Sequence, residues 1–132
     1  MLMSGLTMVL LAAQAAPSPA LPAPPDTVAE FLRQVDDLVA IGGDAAVSSP
    51  QADVIRAALQ ASALAYRASL AEAAARGEAP PSCPPPPGQA QLSLGDITGY
   101  LRAFPEVNRA MPLETAFALV MTLRYPCAAP SQ

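Results

Sequence analysis

Two cysteines constrain this chain more than anything else in it. Cys83 sits inside a proline run, Cys127 follows Tyr125-Pro126, and no other cysteine is present. In an oxidising compartment they can pair only with each other or between chains. A bond within one chain closes a loop of 127 − 83 = 44 residues. In the chain-entropy treatment that closure stabilises the fold by about 4 kcal/mol. A small domain has a net stability of only about 5–15 kcal/mol, so such a clasp is a leading contribution.

The periodicity around the clasp is helical. Thr27 with Glu30 three residues on reads as a capping box, and Val28, Phe31, Leu32, Val35, Leu38 and Val39 then recur at helical spacing up to Gly42-Gly43. Ser49-Pro50 is a second start signal, with Ser as N-cap and Pro at the first helical position. A long helix follows to Arg76 and Gly77, with Ile55, Leu59, Ser62, Tyr66 and Leu70 on one face. Tyr66 needs a partner for its hydroxyl if it is buried. Pro80 to Pro87 cannot be helical and is expected as a stiff polyproline segment that places Cys83.

A third helix begins near Ser93, with Asp96 in its first turn and Ile97, Tyr100, Leu101 and Phe104 as its apolar face. Pro105 ends it. Pro112 opens the last helix, where Leu113, Ala116, Phe117, Val120 and Leu123 are expected to face inward until Pro126 stops it. The expected fold is all-α: a small four-helix-type bundle that a disulfide can staple. Apolar residues make up 52% of the 132, but aromatics only 5%, which suits an alanine-rich helical core better than a sandwich or barrel.

Ahead of the domain, Met1–Ala15 reads as a secretory signal peptide, with a short apolar run at Leu6–Ala13 and a small-x-small site at Ala13-Gln14-Ala15. Residues 16–25 form a Pro/Ala-rich spacer, 26–127 the helical domain and 128–132 a tail. The expected location is therefore the periplasm, with no membrane attachment after cleavage.

Several functions are disfavoured. The net charge is −4 with no His and no Lys, so there is no electrostatic footing for nucleic acid. Without His, neither a Ser-His-Asp nor a Cys-His arrangement can be built. Asp36 and Asp37 are adjacent and splay by about 100° around a helix, a poor acid/base pair. No phosphate loop, metal-ligand cluster or cofactor motif is present. We expect a binding protein rather than an enzyme.

One combination of residues goes further. Cys83-Pro84, Tyr100-Leu101-Arg102-Ala103-Phe104-Pro105-Glu106, then Arg109, then Tyr125-Pro126-Cys127 form a spaced pattern, with Tyr66 upstream in the long helix. It resembles the Rap/Tai family of type VI secretion amidase immunity proteins over roughly residues 50 to 127. The Pro/Ala leader and the proline run around Cys83 depart from that family. The resemblance implies a helical periplasmic protein, commonly a homodimer, that plugs the active-site cleft of a peptidoglycan amidase effector. It also implies a Cys83–Cys127 bond within one chain. On this reading the polar connector between Pro105 and Pro112 is the presented element, with Glu106, Asn108 and Arg109 as partner-binding residues, and Glu106 and Arg109 both exposed. A periplasmic acid-stress chaperone and an accessory subunit of an envelope complex are the alternatives.

Overall fold

A computed structural model of the chain describes residues 14–17, 20–89 and 92–128. The expected export segment lies almost wholly outside the described residues, as does most of the expected tail. Five α-helices and one 3-10 turn are present among them: α1 (Val28–Ile41), α2 (Gly43–Val47), α3 (Pro50–Ala75), α4 (Leu94–Ala103), the turn Glu106–Asn108, and α5 (Leu113–Arg124). The fold is all-α, as expected, with one short helix more than the four anticipated. Gly42, at φ 71°, stops α1 and also caps α2, so the glycine pair is a corner rather than a loop.

The local start signals form as written. The Thr27 hydroxyl accepts from Glu30 N at 3.2 Å, while the Glu30 carboxylate accepts from the backbone N–H groups of Asp26 and Thr27. Ser49 caps α3 ahead of Pro50. Ser93 and Asp96 form a second capping box, whose hydrogen bonds from the Ser93 hydroxyl and backbone hold the Asp96 carboxyl below its ordinary pKa. Gly77 takes φ 69° after α3, and the bonds Gly77 N to Ala74 O and Glu78 N to Ala73 O close a Schellman motif.

The core gathers Val28, Phe31, Leu32 and Val35 of α1, Ile55 and Tyr66 of α3, Ile97 and Leu101 of α4, and Leu113, Ala116, Phe117, Val120 and Met121 of α5. One inward assignment needs correction, and one member of the α1 stripe lies outside the core. Val39 is 71% exposed, because the cover over α1 ends at Val35 and only half reaches Leu38. Leu123 is exposed and Met121 is buried in its place. They lie on opposite flanks of the α5 stripe, and Met121 is the one on the side packed against Phe117, Tyr66 and Ile97. Periodicity alone does not choose between two flanks.

The spacer is also less separate than expected. Pro25 is buried, and the buried Gln34 side chain donates to Ala23 O at 2.7 Å while accepting from Gln51 Nε2 at 3.2 Å. The end of the spacer is thus fastened across α1 and α3.

Cys83 and Cys127 are bonded to each other within the chain, with Cα atoms 4.8 Å apart. The bond lies at the surface, beyond the C-terminal end of α5. Beside it, Cys83 N donates to Tyr125 O at 2.8 Å, and the buried hydroxyls of Tyr66 and Ser82 hydrogen-bond to each other. The Tyr66 hydroxyl has the partner its burial requires. Tyr66→Phe is therefore expected to strand the Ser82 hydroxyl and cost about 1–3 kcal/mol. Tyr66→Phe with Ser82→Ala is expected to recover much of that loss. Chemical denaturation of both variants checks this, and a double variant no more stable than the single one would contradict it.

Candidate functional site

The connector between α4 and α5 is held by backbone. Pro105 cannot continue α4, and the chain turns through the 3-10 segment, with Asn108 N bonding Pro105 O at 2.9 Å and Arg109 N bonding Glu106 O at 3.0 Å. The connector then meets the start of α1. Ala29 N donates to Arg109 O at 2.9 Å, Val28 N donates to Met111 O at 3.2 Å, and Leu113 N donates to Asp26 O at 2.9 Å. Thr27 and Pro112 form an isolated antiparallel bridge. The first N–H groups of a helix have no partner within it. Here two of those on α1 are satisfied by carbonyls of the connector.

The rigidity of this element does not come from the clasp. The disulfide lies past the far end of α5, a helix of 12 residues and so about 18 Å long. The connector is stiff because it is pinned to α1.

The three expected partner-binding residues fall in one turn but are not equivalent. Glu106 and Asn108 are exposed, and no side-chain hydrogen bond of either is seen among the described residues. Arg109 is half-buried. Its Nη2 donates to Arg102 O at 2.8 Å and its Nε to Phe104 O at 3.2 Å, so the guanidinium covers the carbonyl end of α4. A cation there also meets the negative end of the helix dipole. Arg109 is thus a structural brace, contrary to the expectation of a free side chain, and truncating it disturbs α4 as well as the surface. A cation shortly after a helix end is a recognisable C-terminal signal, and it was available in the sequence.

Around the turn lies a band of alternating charge. Arg102 Nη2 is 2.5 Å from Asp36 Oδ1, joining α4 to α1, and Arg33 Nη1 is 3.0 Å from Asp37 Oδ2. Exposed pairs of this kind contribute only about 0.2–1 kcal/mol each, so their effect is to order side chains rather than to hold the fold. Arg33, Asp36, Glu106 and Arg109, with Ala29 and Leu32 beneath, line a shallow cavity of about 340 Å³. Val107 projects from the turn and is 83% exposed. Sequence reasoning passed over it, because a valine between polar residues carries no chemical signal.

No helix among the described residues is long and apolar enough to cross a membrane, and no group of three or more His, Cys, Asp or Glu gathers as a metal site there. Comparison with protein-family models, curated proteins and solved structures finds no match to this chain.

Proposed function

We propose that this chain is an exported immunity protein, resident in the periplasm, that binds a peptidoglycan amidase effector delivered by type VI secretion and occludes its active-site cleft. The observation that carries the reading is the connector: a short turn, pinned by its backbone to α1, with Glu106, Val107 and Asn108 turned to solvent. Such an element loses little freedom on docking, and that ordering cost is what limits the affinity of flexible loops. The pattern of residues resembling the Rap/Tai family includes this turn, and an intrachain disulfide suits an oxidising compartment.

The test is titration of the parent and of Glu106→Ala against an amidase with a catalytic Cys and His encoded beside this gene. Truncating a charge that is desolvated and paired across an interface costs about 2–5 kcal/mol, or tens-fold and more in affinity. Glu106→Ala is expected to weaken inhibition by that much with its melting temperature unchanged. Arg33→Ala, on the exposed side of α1, is expected to have the smaller effect. A parent protein that neither binds nor inhibits the amidase would overturn the reading.

A further inference from the structure

We infer that the cleft between the start of α1, the middle of α3 and the start of α5 binds a primary ammonium group on an alkyl stem, the head group of a lysine side chain. The cleft measures about 490 Å³. Ala58, Ala61 and Ser62 of α3 line one side, and residues 24–27 and 112–114 line the others. Its walls are fixed before any ligand arrives. Leu113 N donates to Asp26 O, Thr27 and Pro112 form the bridge, and Gln34 holds the chain ahead of Pro24 through Ala23 O. The first pointer to a ligand is a hydroxyl without a partner. Ser62 is only 5% exposed, yet its hydroxyl makes no hydrogen bond among the described residues. No side-chain oxygen or nitrogen sealed from solvent is left unpaired there. The Ser62 oxygen therefore opens into the cleft it lines. Buried polar groups are normally hydrogen-bonded, so this one calls for a partner from outside the chain.

The second pointer is which bonding groups the walls leave free. Pro24, Pro25 and Pro112 have no N–H to offer. The N–H groups of Asp26 and Thr27 are taken by the Glu30 carboxylate, and that of Leu113 by Asp26 O. The Asp26 and Glu114 carboxylates, by contrast, enter no ion pair among the described residues, and none of the seven Arg lines the cleft. What remains is mostly acceptors and negative charge. The N-terminus of α5 opposes a cation with a partial charge of about +0.5, against two carboxylates, so the balance still favours one cation. An ammonium group donates three hydrogen bonds and accepts none. Ser62, Asp26 and Glu114 come from three separate stretches of chain, which suits a rotatable three-donor head better than the planar fork of a guanidinium. The stem has Ala58, Ala61 and Leu113 to lie against.

The experiment follows backbone amide NMR shifts of the protein during titration with n-pentylammonium, with Nα-acetyl-lysine methylamide, and with n-pentanol as the uncharged control. Both amines are expected to shift the amides of Ala61, Ser62 and Glu114, with dissociation constants of about 1 mM, as befits so small a ligand. Pentanol is expected to bind about tenfold more weakly or not at all. Ser62→Ala should weaken amine binding about tenfold, and Asp26→Asn with Glu114→Gln by at least as much. The melt of Ser62→Ala should not fall below that of the parent, because its hydroxyl has no partner within the chain to lose. Equal binding by both amines admits a lysine side chain of a protein, whereas exclusion of the lysine probe alone assigns the cleft to free amines. Pentanol binding as tightly as the amines would overturn the inference, as would no shift with either amine, which leaves a cleft filled by water. A lowered Ser62→Ala melt would also overturn it, since the hydroxyl would then be bonded inside the fold. The amidase takes no part in these titrations, so the immunity reading stands or falls separately.

Discussion

Replacing both cysteines, as Cys83→Ser with Cys127→Ser, is expected to lower the unfolding free energy by about 4 kcal/mol. The bond closes a loop of 44 residues that contains all of α4, the connector and α5. Opening it returns that loop-closure entropy to the unfolded chain. The folded state itself changes little, because both cysteines lie at the surface and the Tyr66–Ser82 and Cys83–Tyr125 hydrogen bonds remain available. With an m-value of about 1.5 kcal/mol/M, the urea midpoint should fall by about 2.7 M. Adding a thiol reductant to the parent should reproduce the shift. A double variant whose midpoint stays within about 0.3 M of the parent would show that packing alone holds the crossover between α3 and α4.

Phe31→Ala is expected to cost about 3–5 kcal/mol, against less than about 0.5 kcal/mol for Val39→Ala on the same helix. Phe31 is fully buried among Val28, Leu101, Val120 and their neighbours, so its truncation leaves a cavity that close-packed helices cannot refill. Val39 is 71% exposed and leaves none. Denaturant curves for the two variants separate the cases. Comparable losses would mean that α1 is buried along its whole length.

That pair also marks how far the sequence can be read. Helix starts are local codes, and Thr27 with Glu30, Ser49 with Pro50, and Ser93 all sit where their residue types demand. The disulfide partners were the only two cysteines available. Phe31 and Val39, by contrast, belong to one helical stripe, and what separates them is where the other helices stop covering α1. The same holds for Gln34, whose amide bonds residues 11 and 17 positions away. At the connector, Glu106 and Asn108 are exposed as polar turn residues should be. Arg109 is not, because the carbonyls it reaches belong to a helix end that folds back beside it. Its sign and place were legible, and the groups it would bond were not.

The bonds between the connector and α1 divide the work of the turn between two kinds of atom. Its attachment to α1 is main chain: the carbonyls of Arg109 and Met111 on one side, the amides of Ala29 and Val28 on the other, with the Arg109 guanidinium bracing the end of α4. The outward side chains of Glu106, Val107 and Asn108 take no part in that scaffold. These three side chains can therefore be exchanged without refolding the protein that displays them. Under the function proposed above, a protein that must keep pace with a changing toxin would gain a replaceable tip on a permanent handle.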